Sequence, residues 1–319
     1  MVTGASGLLG RVTATRLIDR GDDVTVLQRR PSGLDCREVL ADLNDADAVC
    51  RAAKGIDAVI HLAAKVDVFG AWGEYRRINV GGTTSVVAAC RVAAVHRLVN
   101  VSSPSVANSG TPLVGAGAGP ANPATAGSNY SRSKAIAELL ALAADDDQLA
   151  VLCIRPHLVW GPGDTQLIGP VVARARAGRL PLIGRGTALI DTTYIDNAGG
   201  ALVAAVDACG RVHGEALVIS NGEPRPVGEI LRRVCEAAGV RGPYGRVPIR
   251  VAAAAGAAAE LIWRTARLSG QPPMTRFLAE QLGTAHWFDQ RHTREVLRWT
   301  PDISLDAGFE RLRRGFANS

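Results

Sequence analysis

The sequence predicts a doubly wound α/β fold, a parallel sheet with helices on both faces, followed by a smaller and mostly helical lobe. Three observations carry this. Short apolar runs alternate with helical stretches from the start of the chain. The runs are continuously apolar rather than alternating, which suits strands buried on both faces. The opening strand-to-helix turn, "VTGASGLLGR", is built on glycine. At 319 residues the chain is long enough for one large or two-lobed unit with a sizeable core.

The elements follow in order. Only Met1–Thr3 precede the glycine turn, where a strand usually takes about five residues, so the assigned start is late or the strand is clipped. A helix runs over Leu8–Arg20. Strands are expected at Asp23–Leu27, Asp57–Ala63, Arg97–Ser103 and Leu149–Pro156, with helices at Val80–Ala94 and Ser131–Ala144 between them. After Pro156 helices dominate, at Gln166–Ala177, Asp196–Ala208, Val227–Ala238 and Ala253–Arg267, and one strand, Ala216–Ser220, interrupts them. The Gly/Ala/Pro-rich stretch Leu113–Ser128 reads as a mobile loop, placed to act as a lid.

Composition bounds the function. Lys and Arg together number 36, but only Lys54, Lys65 and Lys134 are lysines. The net charge of +6 fits an anionic cofactor or substrate. No basic run with interleaved aromatics appears, so nucleic acid is not an expected partner. The six cysteines are scattered without a CxxC pair, as in a cytoplasmic protein with reduced thiols. No metal-ligand spacing is present. The start lacks the apolar segment of a signal peptide. Val251–Ile262 is too short to span a membrane and includes Glu260, so no transmembrane span is expected.

Gly4, Gly7 and Gly10 form a GxxGxxG turn. Gly4 permits the tight turn, Gly7 lets backbone N–H groups approach a pyrophosphate, and Gly10 allows close helix–strand packing. Residues 1–156 are therefore read as a dinucleotide-binding domain. Residues 157–319 are read as mainly a substrate lobe, with some segments returning to the core. At the end of the second strand stand Gln28, Arg29 and Arg30 rather than an acid. No carboxylate repels a ribose phosphate there, and two guanidiniums can pair with one, so NADP(H) is preferred over NAD(H). Asp42 and Leu43 fall where the next strand ends; Asp42 is either an adenine contact or a helix N-cap.

"YSRSK" sets Tyr130 four residues before Lys134, on one helix face. An ammonium beside a phenol favours the phenolate and lowers a pKa that is ordinarily about 10. Tyr130 then serves as general acid for a ketone or base for an alcohol. Upstream, "NVSSPSV" offers Ser102, Ser103 and Ser105 at a strand end. Asn79 reads as a helix N-cap first, with a structural or relay role as the alternative. Lys65 reads as a surface or helix-end charge. In the lobe, Trp160, Leu167, Ile168, Tyr194, Trp263, Met274, Phe277 and Trp287 are mostly core, with a subset available to line a tunnel. Arg174, Arg176 and Arg179 read as a solvated helix face.

These features together resemble the extended short-chain dehydrogenase/reductase superfamily over essentially the full chain: the glycine turn, "HLAA", "NVGGT" at Asn79–Thr83, the serine-bearing strand, YxxxK and "RPHLVWGPGD". Sugar dehydratases carry acids after the catalytic hydroxyl, where this chain has Pro104 and Ser105. Epimerases carry V-Y-G, where it has Val106-Ala107-Asn108. "HLAAKVDVFGAWGEYRRINVGGT", "DTTYIDNA" and "QPPMTRF" are similar instead to the 3β-hydroxysteroid dehydrogenase branch, and most to its bacterial 2-alkyl-3-oxoalkanoate reductases.

The resemblance implies a Rossmann sheet and hydride transfer between a nicotinamide and a ketone or secondary alcohol on a hydrophobic substrate. It implies Ser103, Tyr130 and Lys134 as catalytic. It implies cofactor contacts from Gly4, Ser6, Gly7, Leu8, Gly10, Gln28, Arg29, Asp42, Leu43, Leu62, Ala63, Ala64, Tyr130, Lys134 and Pro156. A homodimer is the family's habit. The competing readings are a sugar-nucleotide epimerase, which shows no net oxidation, and a non-catalytic NADP(H)-binding sensor.

Overall fold

The computed structural model describes residues 1–67, 69–107, 110–266 and 268–317. Asn108, the last residue of the Val106-Ala107-Asn108 motif, and Arg267, the end of the expected Ala253–Arg267 helix, lie outside these.

Seven parallel strands make the central sheet: β1 (Val2–Thr3), β2 (Thr25–Gln28), β3 (Arg37–Leu40), β4 (Ala58–His61), β5 (Arg97–Val101), β6 (Ala150–Pro156) and β7 (Glu215–Ile219). Their spatial order is 7-6-5-4-1-2-3. The inner strands are buried on both faces because their middles are continuously apolar. In β6, Leu152 and Ile154 join one core, while Val151 and Cys153 join the other. The first core is closed by α1 (Leu8–Arg20) and α7 (Ile195–Ala208), the second by α2 (Ala46–Ala53), α4 (Gly82–Val92) and α5 (Asn129–Leu142). Successive side chains point to opposite faces, so one run of Val, Leu, Ile and Cys serves two helical layers. The edge strand β3 escapes the sequence reading because its Arg-Glu-Val-Leu is mostly exposed.

The strand order reverses between β1 and β4. In doubly wound sheets a ligand crevice opens at the carboxyl ends of the strands flanking that reversal. The glycine turn after β1 and the Leu62–Ala64 segment after β4 meet there.

The helix expected to begin at Val80 begins earlier. α3 (Trp72–Tyr75) runs without a break into a π-helical stretch, Arg76–Gly81, and on into α4. The second half contributes β7 and α7 to the sheet layers. It also builds a third core, where α6 (Ile168–Arg176), α8 (Val227–Ala237) and α12 (Leu305–Ala317) surround Trp160. Trp160 stacks on Phe309 and meets Tyr194 edge-on, and it is fully buried with Tyr194 and Ile168, so these three are packing residues and line no tunnel.

Leu113–Ala116, the start of the expected mobile loop, is a strand in a small mixed sheet with His286–Phe288, Leu189–Ile190 and Arg225–Pro226. That ties it to the lobe. α9 (Ile249–Thr265) buries only Ala252 and Gly256. A Cβ on Gly256 would lie 2.5 Å from the Thr275 backbone, so glycine permits the close crossing onto the segment leading into α10 (Arg276–Gly283). Val251, Leu261 and Ile262 face outward. Among the described residues no helix is long and apolar enough to cross a membrane.

Candidate active site

The crevice is walled by glycine. Gly4 sits at φ +80°, and a Cβ there would come 2.9 Å from the Ala63 Cα. A Cβ on Gly10 would lie 2.3 Å from the Gly4 carbonyl oxygen, so no larger residue lets α1 start this close to β1. Gly7 is the N-cap of α1 in extended conformation, and no side chain caps the helix. The first-turn N–H groups and the helix dipole are left to an anion.

Behind the turn runs a chain of hydrogen bonds that the sequence did not announce. Thr83 Oγ1 donates to the Asn79 carbonyl at 2.8 Å, so it accepts from His61 Nε2 at 3.1 Å. His61 Nδ1 then accepts from Thr3 Oγ1 at 2.8 Å, and that oxygen accepts the Leu62 and Ala63 N–H groups at 3.1 Å. Burial, and then the Lys134 charge, push the His61 pKa down to about 3, so the ring is neutral and acts as a spacer. The readable signal lay in Thr3, His61 and Thr83, each inside a motif quoted for other residues.

Asn79 does not cap a helix. It sits inside the π-helical stretch, fully buried, because the helix begins seven residues earlier. Its Oδ1 accepts the Lys65 N–H at 2.7 Å, and its Nδ2 donates to the Lys65 carbonyl at 3.0 Å and to Ser133 Oγ at 2.8 Å. Ser133 Oγ in turn donates to the Tyr130 carbonyl at 2.7 Å. One amide thus ties the segment after β4 to the helix bearing Tyr130. Lys65 is paired with Asp67 and Glu74, as a surface charge would be.

Tyr130 opens α5 behind the N-cap Ser128. Ser103 follows the end of β5, and its hydroxyl lies near enough to the Tyr130 phenol to pull that phenol's pKa down. Ser105 gives Ser103 Oγ its N–H at 3.3 Å and shares a hydroxyl contact at 3.0 Å. Ser102 is buried, with its hydroxyl unpartnered. Lys134 is buried and donates to the Val101 carbonyl at 2.6 Å. One expectation is corrected here. The Tyr130 pKa is raised rather than lowered, because burial outweighs the pull of Ser103. Lys134 carries the depressed pKa, pushed by burial to about 8, with Glu138 opposing.

The end of β2 holds a second correction. A carboxylate is present after all. Glu38, on β3, accepts the Gln28 side-chain amide, the Ser32 N–H and the Ser32 hydroxyl, each at 2.7 Å and all on one oxygen. Strand pairing of β2 with β3 brings it there, which sequence separation hid. Gln28 is buried with its Oε1 unpartnered. Arg29 and Arg30 are exposed, and Arg11 donates to the Ser32 carbonyl. Asp42 is not the helix cap; Asp45 caps α2, and Asp42 accepts from Asn44 in a turn. Leu43 packs beneath Gly82. Leu8 packs towards the lobe core, Ser6 is exposed, and Pro156 ends β6.

A cavity of about 1380 Å³ opens beside the N-terminal turn of α5. Phe69, Trp72, Ile136 and Phe277 supply apolar lining, and Lys65, Arg132 and Arg264 supply cations. Arg132 lies 4.5 Å over the Trp72 ring. Ser128 and Asn129 line it, whereas Tyr130 and Ser103 do not.

The family model described as the 3-beta hydroxysteroid dehydrogenase/isomerase family matches residues 1–247. The chain belongs to that family. As a member it is an oxidoreductase acting on CH–OH groups, interconverting ketone and alcohol. Within the 3-beta hydroxysteroid dehydrogenase/isomerase family, it is 40% identical to a 2-alkyl-3-oxoalkanoate reductase of Stenotrophomonas maltophilia, covering 99% of both chains. It is 36% identical to a 2-alkyl-3-oxoalkanoate reductase of Shewanella oneidensis, over 98% of this chain and 84% of that one. Among solved structures, MoeE5 in complex with UDP-glucose and NAD superposes with a TM-score of 0.76 at 27% identity, covering 99% of this chain and 98% of the other.

Proposed function

We propose that the chain is an NAD(P)(H)-dependent reductase of a 3-oxoalkanoate with hydrophobic arms, with NADP(H) preferred. The observation that carries this is that Tyr130 and Lys134, on one face of α5, meet the end of β5 where Ser103 stands, in a site dry enough to raise the phenol's pKa. A phenol held neutral at pH 7 is a proton donor, which reduction of a ketone needs. The two full-length reductase relatives support the substrate class.

The residues fit a dinucleotide. The first turn of α1, with Gly4, Gly7 and Gly10, would take the pyrophosphate. Gln28, Arg29 and Arg30 would meet the adenosine ribose, and Asp42 and Leu43 the adenine. Leu62, Ala63, Ala64 and Pro156 would flank the nicotinamide half. When bound, the nicotinamide supplies a hydride to the ketone carbon. Ser103 Oγ donates a hydrogen bond to the ketone oxygen and orients it. Tyr130 Oη delivers its proton to that oxygen as it becomes an alcohol. The Lys134 ammonium holds ribose hydroxyls and, once turned from Val101, stabilises the phenolate left behind. Residues 157–319 mainly supply the walls around the substrate.

The test is dinucleotide consumption by purified protein with a long-chain 2-alkyl-3-oxoalkanoate, NADPH and NADH in parallel. NADPH-preferring turnover that Tyr130→Phe reduces by a factor of about 10² or more, with cofactor affinity unchanged, is expected. Full activity in Tyr130→Phe overturns the acid assignment. Tight binding with no net consumption favours an epimerase.

A further inference from the structure

We infer that Glu38 sets how strongly this chain discriminates a 2′-phosphate from a 2′-hydroxyl on its dinucleotide. The inference rests on the dinucleotide reading above and goes beyond it.

The end of β2 is where doubly wound folds read the adenosine ribose. Here the Ser32 N–H, the Ser32 hydroxyl and the Gln28 amide N–H converge on one point, and that point is a Glu38 carboxylate oxygen, 2.7 Å from each. Three donors focused on one anionic oxygen form an anion receptor. It is already filled by a residue of the chain itself. Arg11 reaches the Ser32 carbonyl beside it, and Arg29 and Arg30, which follow Gln28 directly in the chain, are exposed. Among the described residues none of the three is ion-paired, and Arg11 donates only to the Ser32 carbonyl. The Glu38 charge is thus held by neutral donors, which leaves the guanidiniums to a second anion.

The two cofactors place different demands on this arrangement. A 2′-hydroxyl can donate, so it tolerates or uses the free Glu38 oxygen and the unpartnered Gln28 Oε1. A 2′-phosphate only accepts. It gains from the guanidiniums and from the Ser32 and Gln28 donors, but Glu38 competes for those donors and repels it. NADP(H) therefore binds by displacing Glu38, and NAD(H) binds with Glu38 in place. The arginines favour the phosphate, and Glu38 limits how far.

The experiment is calorimetric binding of NADPH and NADH to wild type, Glu38→Gln and Ser32→Ala. The Glu38→Gln substitution keeps an oxygen for the Ser32 and Gln28 donors, and the melting temperature of each variant is read alongside to separate folding from binding. Glu38→Gln is expected to tighten NADPH about tenfold and leave NADH within about twofold, the scale of one exposed charge close to a dianion. Ser32→Ala is expected to weaken NADPH several-fold and spare NADH. Both dinucleotides binding with an unchanged ratio in Glu38→Gln overturns the Glu38 assignment alone. NADH weakened more than NADPH overturns it too, and makes Glu38 a ribose-hydroxyl ligand. Wild type that binds neither overturns the dinucleotide reading and this inference together.

Discussion

The Lys134 side chain is 4% exposed, and its ammonium donates to one carbonyl, that of Val101. Burial takes its pKa from the ordinary 10.5 to about 8. A lysine with a depressed pKa destabilises the fold while it is charged, here by roughly 3 kcal/mol at pH 7. Below pH 8 that cost is fully present. Between about pH 8 and 10.5 the folded chain has released the proton while the unfolded chain keeps it, so stability rises with pH. Lys134→Met is therefore expected to raise the melting temperature of the cofactor-free protein by several degrees at pH 7. The gain should shrink above pH 8 and vanish near pH 10.5. A lower melting temperature at pH 7 would mean that the ammonium is net stabilising. The same buried environment raises Tyr130, so one dry site gives a phenol that keeps its proton and an ammonium that holds its own less tightly.

At the scale of elements, α5 is locked to β6 by an ion pair with both partners 1% exposed. Arg155 reaches Glu138 through Nε at 2.8 Å and Nη2 at 2.5 Å, and its Nη1 donates to the Ala118 and Gly119 carbonyls. Those carbonyls belong to the stretch read from sequence as a mobile lid. The same pair therefore fixes the helix bearing Tyr130 and the segment leading into it. Breaking one partner strands a buried charge, at about 3–5 kcal/mol. Arg155→Met is expected to lower the melting temperature on the order of 10 °C. Adding Glu138→Leu should recover much of the loss, and no recovery would show that the pair itself is net stabilising. The bounds of α1, Leu8–Arg20, were legible because a glycine turn starts it and Gly21, in the left-handed region, stops it. The start of the helix at Trp72 was not. Gly73, Gly81 and Gly82 mask the period, and a π-helical stretch shifts it.

Across the whole molecule, parallel-sheet layering was readable because two-sided burial leaves continuous apolar runs in β2, β4, β5 and β6. Tyr130, Lys134 and Ser103 were readable as motif residues, and the structure gathers all three at the end of β5. Glu38, Asn79 and the Thr3–His61–Thr83 chain were hidden because their meaning lies in partners 6 to 60 residues away. Among the described residues the longest such link is between Phe69 and Gln271. The Gln271 side chain accepts the Phe69 N–H at 3.0 Å and donates to the Phe69 carbonyl at 2.9 Å, across 202 residues. A side-chain amide here imitates one rung of a strand pair, at the rim of the large cavity. Two solvent-exposed hydrogen bonds are together worth about 1 kcal/mol net. An equilibrium that shallow leaves the rung undone on the order of a tenth of the time. Gln271→Ala should speed solvent exchange of the Phe69 amide proton several-fold without moving the melting temperature, and an unchanged exchange rate would count against it. That stretch of the cavity's lining is then a population of made and unmade contacts rather than a fixed seam.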